Sequence, residues 1–222
     1  MAARDQNEFR KERRTGMIVI AVSLPVALAL WVAITYALPP LQGMNALDAR
    51  MLFTLKCFCV SVLFCLVLGV ESIAHERLFS PAFDPLVGYE TKRLLINKQY
   101  LQNTLEQIVV FGAALFGLAL YSPDGYAMRA VLATTIVWIV ARFAFWLGYH
   151  HSAAFRGFGA PGMALSMIVL LYVAARIGNE VAGTVGSVAI LAAFLGIEAA
   201  LFSAARARSN RLATTAAHKE LY

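Results

Sequence analysis

The chain has 222 residues, of which 60% are hydrophobic and 14% charged, and its formal net charge is +6. A soluble domain of this length could not bury so much apolar surface, so the composition excludes a water-soluble globular fold and indicates an integral membrane protein. Basic flanks on the cytoplasmic side of a membrane account for the positive charge without a nucleic-acid partner.

Apolar runs long enough to cross a bilayer, which takes about 20 residues, recur along the chain. The first, Met17–Leu38, exceeds the apolar part of a signal peptide, so we expect a retained span. Later runs bring the prediction to six transmembrane helices: Met51–Ala74, Leu94–Tyr121, Ala127–Tyr149, Pro161–Ala175 and Val181–Ala205. Five spans are the alternative, because polar residues interrupt the final stretch: Arg176, Gly178, Asn179 and Glu180.

The distribution of Lys and Arg predicts the orientation. With six spans, the outer side receives only Arg50, Arg129 and Arg176, and the other loops and tails hold the remaining basic flanks. Because positive flanks stay in the cytoplasm, we expect both termini to be cytoplasmic, in a bacterial inner membrane with lipids as neighbours.

Neither the thiols nor the histidines are spaced as a metal site. Cys57, Cys59 and Cys65 fall in the second predicted span, which favours small buried side chains over disulfides. The histidines are scattered apart from one adjacent pair: His75, His150, His151 and His218. We therefore expect no bound metal.

A polar stripe opens the third predicted span. Gln99, Asn103 and Glu106 follow i, i+4 and i+7 spacing, which places them on one helical face. Glu106 lies roughly three turns inside the helix, and a carboxylate at that depth predicts a cationic or hydrogen-bonding partner. Arg142, about two turns before the end of the fourth span, is the nearest candidate, so we predict a pair between Arg142 and Glu106.

The role of that predicted pair has two interpretations. In one, it is structural and nothing more. In the other, Tyr149 shares the face of Arg142, and Arg156 and Arg77 lie at the mouth. Together they would form a cationic pocket with a phenol hydroxyl, suited to a small anion whose thiol or carboxylate is kept ionised.

Two motifs in consecutive spans carry a family resemblance. The first is Asn-x-x-Glu near the start of a span, here Asn103 to Glu106, and the second is Arg-x6-Tyr at the end of the next, here Arg142 to Tyr149. A further arginine, Arg156, follows seven residues later. The chain thereby resembles the membrane-associated proteins in eicosanoid and glutathione metabolism, the MAPEG family, over four helices from about Met51 to Ala175.

The resemblance implies a fold, an assembly and a chemistry. It implies a homotrimer of helical bundles with glutathione bound between neighbouring subunits near the cytoplasmic face. Arg156 would stabilise the glutathione thiolate, which attacks a hydrophobic electrophile, and Arg77 would be the counterpart of a basic residue at the end of the preceding span. A guanidinium suits this task because a thiol of pKa about 8.5 is mostly protonated at neutral pH.

The resemblance also implies the ligand contacts. Asn103 and Glu106 would hold the peptide groups and the ammonium of glutathione, while Arg142 and Tyr149 would support and contact it. Where many members have an arginine that grips a carboxylate, this chain has Gln99, with Lys98 beside it, and it has Phe145 where synthases have tyrosine. An amide does not replace a bidentate guanidinium, so these differences predict weaker binding.

The expected organisation is a four-helix MAPEG-like core with one added helix at each end. Residues 1–16 form a basic cytoplasmic tail, 17–50 the extra first span and outer loop, 51–175 the core, 176–205 the extra last span, and 206–222 a second basic tail.

Two functions are compatible with this organisation. The first is a glutathione-dependent membrane transferase or peroxidase. The second is a non-catalytic scaffold or accessory subunit of a larger inner-membrane complex, with the added helices offering a partner surface.

Overall fold

The computed structural model describes residues 6–219, and these form helices, short turns and loops without a β-strand. Six long helices follow in chain order: α1 Gln6–Ala37, α2 Leu47–Ser61, α3 Leu68–Leu78, α4 Lys92–Tyr121, α5 Met128–His151 and α6 Ala160–Lys219. A π-helical turn, Val62–Val67, joins α2 to α3 into one rod. Three short 3-10 segments occupy the loops: Pro81–Phe83, Pro85–Val87 and Ala153–Gly159.

Five helical segments in the described part of the chain are long and apolar enough to cross a membrane. They are Glu8–Ala37, Leu47–Leu78, Lys92–Tyr121, Met128–His151 and Ala153–Arg208, the last of which is interrupted at Ala182 and Gly183. The composition, the all-helical fold and these segments together define a multi-pass α-helical membrane protein. Their exposed faces carry large apolar side chains such as Val109, Leu147 and Ile168, as contact with lipid requires.

Helix α5 lies at the centre of the bundle. It packs against α1, α2 and α4, and half of its most apolar stretch is buried, against 6% for α1. The Trp138 indole of α5 stacks on Phe111 of α4 with 4.4 Å between ring centroids, and Met128 and Leu115 are fully buried in the same cluster. Of the helices that could cross a membrane, α5 therefore has the largest share of its apolar stretch screened from lipid.

The π-helical turn exposes a carbonyl to a neighbouring helix. Its wider hydrogen-bond register interrupts the i to i+4 pattern, which frees acceptors for outside donors. The hydroxyl of Tyr100 on α4 donates to the Cys65 carbonyl at 2.8 Å. Tyr100 also stacks on Phe145 and Trp146 of α5. The hydrogen bond therefore joins α4 to the α2–α3 rod, and the ring stacking joins α4 to α5.

Residues 171–219 form a unit of their own, and α6 breaks within it. Ala182 has φ −141° and ψ 26°, and Gly183 has φ 61°, a left-handed value that glycine adopts without steric cost. The chain folds back after this break, and the Ser187 hydroxyl donates to the Ala175 carbonyl across it at 2.7 Å. The predicted interruption at residues 176–180 was misplaced: those residues stay helical, since polar side chains alone do not break a helix.

Candidate functional site

A polar cavity of about 260 Å³ lies in the first unit, residues 6–170, near the end of the bundle where α4 begins and α5 ends. We call this the basic end, after Lys92 and Arg156. Helix α4 contributes three amide side chains to its lining, Gln99, Asn103 and Gln107, and α5 contributes Arg142, Phe145 and Tyr149. The 3-10 segment Ala153–Gly159 contributes Arg156, Gly157 and Gly159, and Ile20 of α1 and Ala160 of α6 complete the lining.

Arg142 is the most unusual residue of the cavity. Its side chain is 1% exposed, yet none of the described carboxylates lies within ion-pair distance of it. Its Nη1 donates to Asn103 Oδ1 at 2.9 Å, its Nη2 donates to the Gly159 carbonyl at 3.1 Å, and its Nε has no partner. The guanidinium also lies 4.9 Å from the centre of the Phe145 ring. A buried cation held only by neutral acceptors has high affinity for an anion, because an anion would offset its lost hydration.

Asn103 connects this cation to a second amide. Its Oδ1 also accepts a hydrogen bond from Gln107 Nε2 at 3.1 Å, so two donors orient the carboxamide. The Gln107 Oε1 is buried without a partner. Spare hydrogen-bonding capacity beside a buried charge is typical of a ligand site, since the group is costly to leave unsatisfied.

The predicted pair of Arg142 with Glu106 is wrong. Glu106 is exposed, and its Oε1 accepts from Gln102 Nε2 on its own helix at 3.2 Å. The reason is helical geometry: Asn103 stands three residues before Glu106, about 60° around the helix axis, and this is the edge that packs on α5. Arg142 therefore meets the amide and not the carboxylate.

The structure brings together five of the eight predicted site residues and leaves three outside this cavity. Those inside are Gln99, Asn103, Arg142, Tyr149 and Arg156. Glu106, Arg77 and Lys98 are absent from the lining. Lys98 instead pairs with Glu90, and Arg77 lies at the end of α3 with its Nε buried and unpaired.

The 3-10 segment owes its position to glycines. Ser152 begins it by accepting a hydrogen bond from the Ala154 amide at 3.2 Å. A Cβ on Gly148 would lie 2.6 Å from the Phe155 carbonyl oxygen, and one on Gly159 would lie 2.5 Å from Arg142 Nη2. The absence of side chains at both points lets the segment pass close over α5, which carries Arg156 to the cavity and the Gly159 carbonyl to Arg142.

Five residues that line this site were not predicted from the sequence: Ile20, Gln107, Gly157, Gly159 and Ala160. Gln107 could have been found, because it stands four residues after Asn103 on the polar stripe. The Gly159 carbonyl belongs to the backbone, and Ile20 sits in an apolar span, so neither gave a signal.

The fold and the cavity define a multi-pass helical membrane protein with a cationic polar site near one end of its bundle. Among curated proteins the chain is similar to transmembrane protein 79 of Bos taurus, 26% identical over 138 residues, which is 61% of this chain and 34% of that protein. It is likewise similar to transmembrane protein 79 of Mus musculus, 25% identical over the same length. The alignment thus spans about a third of these mammalian relatives. No family model matches the chain, and no solved structure matches it.

Proposed function

We propose that the chain is a glutathione-dependent membrane transferase or peroxidase of MAPEG-like type. The observation that carries this proposal is Arg142, a buried guanidinium without a carboxylate partner among the described residues. It borders a cavity that also holds Asn103, Tyr149 and Arg156, the residues of the two motifs apart from Glu106.

The chemistry follows from the charges. Glutathione carries two carboxylates and one ammonium at neutral pH, so a cavity with two guanidinium groups and three amides complements its net negative charge. Arg156, exposed on the rim, favours the thiolate over the thiol. The thiolate sulfur then attacks an electrophilic carbon and forms a carbon–sulfur bond, and the displaced electron pair leaves with a group or takes up a proton.

The proposal includes the membrane arrangement. Each half of α6, before and after Gly183, is long enough to cross a bilayer, which supports six spans. An even number of spans puts both termini on one side of the membrane, and the basic flanks favour the cytoplasmic side. The four-helix core, the homotrimer and the bacterial inner membrane stay predictions from the motifs and the basic flanks.

Ligand-induced stabilisation of the purified protein tests the proposal. Glutathione at a hundred times its dissociation constant should stabilise the folded state by about 2.7 kcal/mol. Arg156→Ala should fold normally and lose most of that gain, whereas Arg93→Ala, an exposed arginine at the same end, should retain it. Equal stabilisation of both variants would remove Arg156 from the site, and no stabilisation of the unaltered protein would remove glutathione.

One observation favours the accessory role as a second candidate. Glu106, the residue expected to hold the ligand's ammonium, faces away from the cavity on an exposed face of α4. A family-derived bundle that had lost catalysis could use such a face to bind another membrane subunit. Co-purification of a membrane protein in mild detergent, lost on Glu106→Ala, would support this role.

A further inference from the structure

A second polar cavity opens at the basic end of the first unit, between α3, α4 and α5. It measures about 390 Å³, within the range of roughly 300–1,000 Å³ that small-molecule sites occupy. Residues of the three helix ends line it: Ser72, His75, Glu76, Phe79, Arg93, Asn97, Trp146 and His150. Among the described residues, the lining shares no member with the cavity around Arg142, so its ligand is independent of the proposed function.

Asn97 joins the three helices in the wall of this cavity, which we call the Asn97 cavity. The residue is 5% exposed, and its Nδ2 donates to the Ser72 carbonyl at 3.3 Å. Its Oδ1 lies 3.0 Å from both Trp146 Nε1 and His150 Nε2. An indole nitrogen only donates, so the atom that it contacts is the amide oxygen, which only accepts. His150 must therefore donate through Nε2, and its Nδ1 is left without a partner among the described residues.

Arg93 supplies a guanidinium to the same cavity. It precedes Asn97 by four residues, one turn of α4, so it lies beside the amide that contacts His150. Its side chain is 78% exposed, and its Nε lies 3.8 Å from Glu76 Oε2. Its two terminal nitrogens make no hydrogen bond with the described residues, which leaves them for a ligand.

The carboxylate of the lining and the second histidine are engaged within the protein. Glu76 Oε1 accepts a hydrogen bond from the Thr91 hydroxyl at 2.8 Å, in addition to the contact of its Oε2 with Arg93. His75 Nε2 lies 3.7 Å from Glu71 Oε2. The groups left for a ligand are therefore the terminal nitrogens of Arg93 and the free nitrogen of His150.

The charge around the cavity favours an anion. Arg77, Lys92 and Arg93 lie at these helix ends, against the single carboxylate of the lining. The N-terminus of α4, which begins at Lys92, adds a partial positive charge. With a proton on Nδ1, His150 becomes a second cationic donor next to Arg93. Charged donors of this kind make strong hydrogen bonds to phosphate oxygens.

The cavity lies at the level of lipid phosphates. Three of the apolar segments end there, because α3 ends at Leu78, α4 begins at Lys92 and α5 ends at His151. Two aromatic side chains line it, Phe79, which is 83% exposed, and Trp146. Aromatic residues are enriched where helices leave the hydrocarbon core, and headgroup phosphates lie just outside that core.

We propose that the Asn97 cavity binds a phosphate ester, with Arg93 and His150 as its two donors. Asn97 is a positioning residue, because it fixes the tautomer that leaves Nδ1 of His150 free. Two sources share the ligand chemistry: the headgroup of an anionic phospholipid and a soluble phosphate ester.

Thermal unfolding of the full-length protein in dodecyl maltoside and phosphate-free buffer tests the assignment. Dihexanoylphosphatidylglycerol offers a lipid phosphate, glycerol phosphate a soluble one, and dihexanoylglycerol the acyl chains without phosphate. A ligand that binds only the folded state raises the unfolding temperature. We expect stabilisation by a phosphate compound and none by dihexanoylglycerol. Stabilisation by the lipid alone identifies a headgroup site, and stabilisation by glycerol phosphate identifies a site open to soluble esters.

Matched variants test the two donors. Arg93→Gln and His150→Gln should each raise the phosphate concentration needed for the same stabilisation about tenfold, the effect of losing one charge-assisted hydrogen bond. The controls are Lys92→Gln and His151→Gln, which change the neighbouring residue of the same type of charge outside the lining. They should change that concentration by less than about twofold, since they alter only the surrounding, screened charge.

Two results would overturn the proposal. One is a lack of stabilisation by both phosphate compounds, or equal stabilisation by dihexanoylglycerol. The other is an equal effect of Arg93→Gln and Lys92→Gln. Because Arg93 is exposed, this comparison decides the matter even if His150→Gln fails to fold. Stabilisation by glutathione is measured separately, so the failure of one proposal leaves the other standing.

Discussion

Replacement of Arg142 by methionine separates a ligand-binding arginine from a structural one. Methionine keeps much of the length of the side chain and removes the charge. The change deletes the two hydrogen bonds to Asn103 and Gly159, each contributing about 1.5–3 kcal/mol, and the contact with the Phe145 ring, about 0.5–2 kcal/mol. It also removes the cost of burying a guanidinium without a counter-ion, which is several kcal/mol.

These opposing effects nearly cancel. Asn103 Oδ1 keeps its bond from Gln107, so the substitution leaves few new unsatisfied groups. We expect the free energy of unfolding of Arg142→Met to change by less than about 2 kcal/mol, while glutathione binding is lost. Breaking a buried ion pair would cost about 3–5 kcal/mol instead.

Reversible unfolding in detergent, followed by helical circular dichroism, measures the first quantity, and calorimetric titration measures the second. Glu106→Gln is the control and should change neither, because Glu106 is exposed and outside the cavity. A loss above about 3 kcal/mol in Arg142→Met, or a chain that no longer folds, would refute the reasoning and make Arg142 a structural residue.

Two further pairs of substitutions test how the site is held. In Gly159→Ala the new Cβ would lie 2.8 Å from Phe145 Cβ and 2.5 Å from Arg142 Nη2, so we expect a loss of about 1–3 kcal/mol in stability and weaker glutathione binding. Gly196→Ala, with open space around it, should be neutral or stabilising in the same unfolding measurement, and equal effects of the two substitutions would contradict the packing argument. Trp31→Phe removes the indole donor to Thr134 and should cost about 1 kcal/mol. Thr134→Val should cost a similar amount, and the double variant should lose less than the sum of the two; full additivity would mean that the bond contributes nothing.

The cavity was predictable from sequence where a polar residue interrupts an apolar run. Arg142 and Asn103 stand out for this reason, because a bilayer penalises their polar groups unless they meet a partner or a ligand. Helical spacing then gave the correct face of α4 but not the edge of that face that packs on α5. Asn103 and Glu106 differ by about 60° in their position around the axis of α4. Which of the two contacts Arg142 depends on how α4 packs against α5.

The docking of α1 and the break in α6 left no such signal. Met17–Leu38 contains no charged side chain, so nothing in it indicated that Ile20 would meet the cavity or that Trp31 would find Thr134. In α6 the charged residues Arg176 and Glu180 predicted the interruption, whereas the turn depends on the left-handed φ of Gly183. Several glycines near that point were equally able to adopt this value, and the antiparallel packing selects one of them.

The proposed function requires that the cavity beside Arg142 and Arg156 binds glutathione as a thiolate. Ultraviolet difference absorption of the purified protein with added glutathione reports thiolate formation directly, at a pH where the free thiol is mostly protonated. We predict a thiolate signal that saturates with glutathione and disappears in Arg156→Ala, with the fold of that variant unchanged. A flat difference spectrum at saturating glutathione would contradict the claim.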